Sequence, residues 1–295
     1  MRVMVTGAGG MVGRAVTRHC LANGDEVLSY DRENLDIAQS QNVFVTVERD
    51  LPDVIINCAA WTDVDGCESD PQRAHDVNAL GPENLATACR KISALLVTIS
   101  TDYVFDGTKE GFYTQRDNPN PQSVYAVSKL EGERRAQLAN ARTVVVRTGF
   151  IFGDGGKNFL STVIERARRG DSLKAIGDAY GTPTYAPHLA SRLRELAERD
   201  IPGVYHVVNS GKGVSYVEFA RTALELAGMP DNKVEAITEE SLKRPAARPI
   251  NSRLKCVLSE AIGLSPLPFW ENALRDFVAS LCYYSAPVSS DLSEG

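Results

Sequence analysis

Arg2-Val3-Met4-Val5-Thr6-Gly7-Ala8-Gly9-Gly10-Met11-Val12-Gly13 begins the chain with a short β-rich run and a glycine turn. A helical pattern follows and continues through Leu21. Strand, glycine turn and helix, in that order, are the context in which spaced glycines bind a dinucleotide. Gly7 permits the tight turn. Gly10 lets a pyrophosphate approach backbone N–H groups at the helix start, where Met11 and Val12 belong to the same contact. Gly13 lets the helix pack closely on the strand. A glycine triplet alone marks only a turn; its place at the start of a βα unit makes cofactor binding the stronger reading.

The pattern repeats outward from this unit. Glu26–Tyr30 reads as the next strand and ends at Asp31, 18 residues after Gly13, where an acidic residue grips a ribose 2′-OH. Arg32 follows directly and suits a 2′-phosphate, so NADH and NADPH both remain open. Asp53–Asn57 reads as a third, buried strand. It runs into Cys58-Ala59-Ala60-Trp61-Thr62, whose small residues let a flat ligand lie against backbone. Leu95–Ile99 and Arg142–Thr148 are further apolar, β-branched strands, and helical segments lie between them. Strand and helix alternating through residue 150 predict an α/β fold, a doubly wound parallel (Rossmann) sheet with a smaller C-terminal α/β substrate lobe. The expected division is a nucleotide-binding domain over 1–150, a lobe over 151–285 with possible returns to the large sheet, and a tail over 286–295. Within the lobe, helices are expected at 158–169, 187–199, 215–227 and 267–281, with a strand at 203–208. Ser215 and Glu218 form a capping box at the third of these helices.

Composition narrows the function classes. The 295 residues are 43% hydrophobic and 24% charged, ordinary for a soluble globular protein. A net charge of -6 gives no reason to expect nucleic acid or an anionic membrane as partner. No run reaches the roughly 18 apolar residues of a membrane span, and the N-terminus does not read as a signal peptide, so the expectation is a cytoplasmic protein. The six cysteines are scattered, with no C-x-x-C pair, and read as free thiols. Asp63, Asp65, Glu68 and Asp70 crowd just before a helical segment. They read as helix N-terminal acids complementing the macrodipole rather than as a metal cluster, and no metal site is expected.

The chemistry is expected between residues 99 and 129. Thr101 stands in Ser100-Thr101-Asp102 near the end of the fourth strand. Tyr125 and Lys129 are four apart at the start of a helix, hence on one face. A lysine ammonium one turn away favours the phenolate and lowers the tyrosine pKa from about 10. A threonine hydroxyl can hydrogen-bond the same substrate oxygen. Such a group donates a proton to an oxygen gaining negative charge, as happens when hydride reaches a carbonyl carbon.

With glycine turn, acidic strand end, S-T-D and Y-x-x-x-K in this order, the chain resembles the extended short-chain dehydrogenase/reductases. Within them it is similar to the dTDP-4-dehydrorhamnose reductase family over nearly its whole length. The segments that match are 7–13, 57–68, 100–107, 125–133, 181–184 and the run Ala247-Arg248-Pro249-Ile250-Asn251-Ser252-Arg253-Leu254. The resemblance implies NAD(P)H-dependent reduction of the C4 ketone of dTDP-4-dehydro-L-rhamnose to dTDP-L-rhamnose, with Thr101, Tyr125 and Lys129 catalytic and Tyr125 the proton donor. It places Asp36 and Ile37 at the adenine and Ala59, Ala60 and Thr62 along the cofactor. Thr62, Val64, Asp102, Tyr103 and Phe150 are placed at a dTDP-linked 4-keto-6-deoxy sugar, and Asn251 and Arg253 at its diphosphate end. A homodimer is possible on the same grounds.

Phe150 departs from the tryptophan common in the family's R-T-S-W-V-Y-G run. It keeps an apolar face but loses the indole N–H donor, which leaves another nucleotide-linked 4-keto sugar open. Two other classes compete. One is a non-catalytic nucleotide-binding subunit resembling the regulatory subunit of methionine adenosyltransferase in animals, which an intact triad disfavours. The other is an epimerase or dehydratase. A dehydratase commonly carries Asp-Glu after the threonine, whereas Asp102-Tyr103 stands here.

Overall fold

The computed structural model describes residues 1–156, 158–230 and 233–283. The expected tail over 286–295 lies outside the described residues.

The glycine turn sits where the sequence places it. Strand β1 (Arg2–Thr6) passes through it into helix α1 (Met11–Ala22), and β2 (Glu26–Tyr30), α2 (Ser40–Asp50) and β3 (Val54–Asn57) follow. Helices α3 (Val64–Ser69), α4 (Pro71–His75) and α5 (Gly81–Lys91) come next, α4 and α5 being joined through a π-helical turn, Asp76–Leu80. Strand β4 (Leu95–Thr101), α6 (Val124–Ala139) and β5 (Thr143–Thr148) complete the first half. The second half contains β6 (Ile151–Phe152), α7 (Phe159–Arg168), β7 (Leu173–Ile176), β8 (Tyr180–Gly181), β9 (Thr184–Tyr185) and α8 (Ala186–Arg199). It ends with β10 (Gly203–His206), β11 (Val214–Ser215), α9 (Tyr216–Leu226), β12 (Val234–Ile237), α10 (Leu258–Ala261) and α11 (Trp270–Tyr283).

One six-stranded sheet organises the molecule. Its order is β10-β5-β4-β3-β1-β2 and every pair is parallel. Strands buried on both faces read as near-continuous apolar runs; β3 and β5 are buried throughout, their few polar residues, such as Asn57 and Arg147, being hydrogen-bonded inside. Helices α1 and α8 cover one face, through Ala15, Val16, Leu189 and Leu193 against Val3, Val5, Val97 and Val146. Helices α2 and α5 cover the other, through Val43, Val47, Leu85 and Cys89 against Met4, Ile55 and Leu96. A separate aromatic core, with Phe152, Tyr185, Phe219, Trp270 and Phe277, fills the lobe.

Two features of the lobe depend on long-range pairing. The strand expected at 203–208 pairs with β5 and so becomes the sixth strand of the large sheet. Two-residue strands (β6 with β9, β8 with β11) lock the loops after β5 to the lobe. Elements this short carry no periodicity, so nothing local announces them.

The chain order reverses between β1 and β3, which separates their C-terminal ends and opens a crevice there, the usual ligand position in an open α/β sheet. The acids before α4 fill structural posts. Asp63 caps α3 and Asp70 caps α4. Glu68 accepts from the Val124 N–H at 2.8 Å. Asp65 takes a bidentate pair from Arg248 at 2.9 and 2.7 Å, which ties the 247–254 run to the sheet domain.

Candidate active site

Gly7 has φ +66°, a left-handed conformation that favours glycine. A Cβ on Gly7 would lie 2.7 Å from the Ala59 nitrogen, and one on Gly13 2.7 Å from the Ala8 Cα. Both positions therefore require glycine, the first for the turn and the approach of the loop after β3, the second for the seating of α1. Gly10 donates to the Gly7 carbonyl at 3.0 Å and begins α1 with no side-chain cap and no acid in the first turn. The first N–H groups of α1 are left for an anionic ligand. This cradle fits a dinucleotide pyrophosphate.

Two adjoining clefts of about 470 and 560 Å³ share Gly10, Cys58, Ala59 and Ala60. Gly7, Asp31, Arg32, Asp36 and Ile37 line the first, and Met11, Val12, Gly13, Thr62, Val64, Thr101, Asp102, Tyr103, Tyr125, Lys129 and Phe150 the second. Asp31 accepts through Oδ1 from the Glu33 and Asn34 N–H groups at 3.0 and 3.1 Å. It thus caps the turn after β2 at the wall of the cleft. Ile37 is buried against Gly81, and its carbonyl accepts from Asn84 at 3.0 Å, so its backbone edge is fixed.

The second cleft holds the candidate proton-transfer residues Thr101, Tyr125 and Lys129. Thr101, the last residue of β4, pairs with Thr148 of β5 and is buried. Its hydroxyl donates to Asp102 Oδ1 at 3.1 Å and accepts from the Tyr103 N–H at 3.2 Å, and Tyr125 lines the same cleft. Ser123 caps α6 by accepting from the Ala126 N–H at 3.3 Å, which fixes the first turn and with it Tyr125. Lys129, one turn on, donates through Nζ to the Ile99 carbonyl at 2.7 Å. The expectation of a lowered tyrosine pKa does not hold. Tyr125 is pushed up, because burial penalises the phenolate more than the neighbouring Thr101 hydroxyl favours it. Lys129 moves the other way: burial lowers it to about 8, and Glu133 partly offsets the effect. The phenol is therefore a protonated donor at neutral pH, and the lysine is a buried cation close to losing its proton.

Asp102 is buried and pushed up to about 6, with hydrogen bonds from Ser252 and Thr101 holding it back. A Cβ at Gly149 would overlap its carboxyl group. Phe150, with φ +48°, is a non-glycine residue in the left-handed region, where an L side chain carries strain. Its ring stacks on Tyr216 at 4.1 Å and occupies the space a Cβ at Gly181 would take.

Asn251 and Arg253 are not among the residues lining either cleft. Asn251 donates to the Lys109 and Gly111 carbonyls, at 2.5 and 2.8 Å, and accepts from Arg253 Nε at 2.8 Å. The Arg253 guanidinium lies against the Phe112 and Tyr180 rings, 5.7 and 5.6 Å from their centroids. The A-R-P-x-N-S-R-L run thus anchors the lobe to the loop after β4. Tyr216 and Gly149 line the second cleft unforeseen, as Trp61 and Arg73 line the first. The Arg73 guanidinium lies over the Trp61 ring at 4.3 Å. Asn78 was also missed. It accepts from the Trp61 N–H at 2.8 Å and donates to Ser128 Oγ at 3.2 Å, bridging the loop after β3 to α6. It lies within the π-helical turn, and no local pattern marks an asparagine there for that purpose.

A glycine cradle at the β1 turn and a threonine–tyrosine–lysine group at the ends of β4 and α6 together define an extended short-chain dehydrogenase/reductase. Comparison with known proteins narrows the class. The family model described as RmlD substrate binding domain matches residues 1–282. The chain belongs to this family, the dTDP-4-dehydrorhamnose reductases, which are NAD(P)-dependent oxidoreductases. It is 37% identical to the dTDP-4-dehydrorhamnose reductase of Mycolicibacterium smegmatis, over 95% of this chain and 86% of that one. It is 33% identical to a Streptomyces antibioticus protein named probable dTDP-4,6-dihydroxy-2-methyloxan-3-one 4-ketoreductase, over 94% of each. Among solved structures it is similar to the Bacillus anthracis dTDP-4-dehydrorhamnose reductase in complex with NADP. That match has a TM-score of 0.91 and 33% identity, and covers 95% of this chain and 99% of that one.

Proposed function

We propose that the protein reduces the C4 ketone of dTDP-4-dehydro-L-rhamnose to dTDP-L-rhamnose, with NADPH or NADH as cofactor. The observation that carries the reading is that Thr101, Tyr125 and Lys129, all buried, line one cleft that adjoins the glycine cradle. The cradle residues Gly7, Gly10 and Gly13 and the N-terminus of α1 hold the pyrophosphate. Asp31 and Arg32 meet the adenosine ribose, Asp36 and Ile37 the adenine, and Ala59, Ala60 and Thr62 lie along the cofactor. Bound NAD(P)H supplies the hydride.

Tyr125 donates its phenolic proton to the alkoxide oxygen forming at C4. Thr101 holds the same oxygen by a hydrogen bond. Lys129 stabilises the phenolate that remains, an interaction strengthened by burial. Thr62, Val64, Asp102, Tyr103 and Phe150 shape the sugar pocket. Arg253 and Asn251 reach the nucleotide only if the loop they anchor closes on it.

The test is a coupled assay. dTDP-4-dehydro-L-rhamnose is generated in place, NADH or NADPH is added, and the sugar product is identified. Loss of absorbance at 340 nm with dTDP-L-rhamnose as product is the expected result; no loss with either cofactor refutes the reading. A second reading, reduction of a different dTDP-linked 4-keto sugar, is favoured by Phe150 in the tryptophan position and by the name of the Streptomyces antibioticus relative. A dTDP-sugar other than dTDP-L-rhamnose as the better substrate would establish it.

A further inference from the structure

Ser100, Glu133 and Arg147 are buried directly beneath the proton-transfer group, and the reaction as derived does not use them. Three consecutive residues of β4 face α6, and two of them hold it by hydrogen bonds. Thr101 lines the same cleft as Tyr125. The Ile99 carbonyl accepts from Lys129 Nζ. Between them, the Ser100 hydroxyl donates to the Glu133 carboxylate. Glu133 lies one helical turn beyond Lys129 on the same face. Arg147, from β5, grips it from the far side, with Nε donating to Oε1 at 2.9 Å and Nη2 to Oε2 at 2.7 Å. The side chains of this pair are 7% and 3% exposed.

Burying such a pair brings little stability, because desolvation offsets most of the attraction. Its position offers another reason for it. The titratable groups facing Lys129 are Tyr125 and Glu133 from its own helix and Cys58 from the turn after β3. Burial holds Cys58 and Tyr125 in their neutral forms. Glu133 is then the acidic side chain next to the lysine along the helix face, paired directly with Arg147 while Lys129 Nζ bonds the Ile99 carbonyl, and Arg147, with His206 of β10 near it, faces Glu133 from behind.

We infer that Glu133 is a positioning residue that keeps the Lys129 ammonium charged in its dry pocket, and that Ser100 and Arg147 hold the Glu133 carboxylate in place. The inference rests on the roles assigned above to Tyr125 and Lys129. The direction of the Lys129 shift agrees: burial favours the neutral amine, and Glu133 works against it.

The test is the pH profile of kcat/KM for dTDP-4-dehydro-L-rhamnose at saturating NADPH. Glu133→Gln keeps the shape and removes the charge; its alkaline limb is expected to fall by on the order of one pH unit. Arg147→Met leaves Glu133 facing Lys129 alone, and its limb is expected to rise. A role in packing alone would lower kcat in both variants without moving either limb, and that result overturns the inference. Circular dichroism checks folding. If Glu133→Gln does not fold, the double variant Glu133→Leu/Arg147→Met replaces the pair with apolar side chains, a change cores commonly tolerate. Its limb is expected to fall, and an unmoved limb there is equally fatal. Turnover by the wild-type chain with unmoved limbs refutes this inference; absence of wild-type turnover refutes the reductase reading on which it rests.

Discussion

Replacing Tyr125 with phenylalanine removes one oxygen and its proton and leaves the rest of the site in place. The ring keeps its edge-on contact with Tyr103, whose centroid is 6.2 Å away, and α6 keeps its Ser123 cap. Folding loses at most the hydrogen bonding of one buried phenol, a net cost of about 1 kcal/mol. Catalysis loses its proton donor. General acid catalysis contributes roughly 10²- to 10⁴-fold, so the barrier should rise by about 3–5 kcal/mol at 1.36 kcal/mol per decade. Because burial holds the phenol protonated, the donor does not titrate near neutrality, and the loss should be the same at pH 6.5 and pH 8. The assay is NADPH oxidation at 340 nm with saturating dTDP-4-dehydro-L-rhamnose, alongside fluorescence titration of NADPH binding. The expected result is kcat down by at least 100-fold, with cofactor affinity changed less than about threefold. A variant that retains more than about a tenth of wild-type kcat would show that Tyr125 is not the proton donor.

Two further predictions concern the sugar pocket. Gly181→Ala places a methyl group where the Phe150 ring lies, so the ring must turn off Tyr216. KM for the dTDP-sugar should rise at least tenfold while NADPH affinity, read by fluorescence, stays constant; an unchanged KM would remove Phe150 from the pocket. Asp102→Asn should stabilise the protein at neutral pH while impairing turnover. Burial raises the Asp102 carboxyl to about 6 from the ordinary carboxylate value of 3.8, so the folded state binds more protons than the unfolded state between those values. Stability therefore falls as pH rises through that window, and above pH 6 the full cost, on the order of 3 kcal/mol, is in place. Thermal melts should show the variant more stable than wild type at pH 7.5 and equal to it at pH 3.5; an equal Tm at both would refute the burial argument.

Much of the fold was legible because its signals are local. The turn at Gly7–Gly13 needs glycine for reasons confined to a dozen residues, and β1 and β2 fall where their apolar runs place them. The capping box at Ser215 and Glu218 is present as read. Of the acids from Asp63 to Asp70, Asp70 caps the expected helix; Asp63, Asp65 and Glu68 belong to a short helix before it that the sequence reading did not place, where Asp63 caps, Asp65 pairs with Arg248 and Glu68 accepts from the Val124 N–H. Y-x-x-x-K on a helix required that Tyr125 and Lys129 share a face, and they line one cleft.

What the sequence could not determine depends on atoms brought together from distant strands. The sign of the Tyr125 shift is the clearest case. Spacing alone puts a cation near the phenol, but whether charge or desolvation wins depends on how completely β4, the turn after β3 and the lobe exclude water. Asn251 and Arg253 are placed at the diphosphate end by the family resemblance; the structure shows in addition that the Asn251 amide bonds the Lys109 and Gly111 carbonyls and that its oxygen accepts from Arg253 Nε. Tyr216 lines the sugar pocket because β11 pairs with β8, two-residue strands with no periodic signature. Sequence by itself determined the layers of this protein and which side chains are candidates for the reaction, because helical and strand periodicity and glycine geometry act over a few residues. Tertiary structure alone decided the protonation state of those side chains and the far wall of the pocket, because burial and long-range pairing belong to the assembled fold.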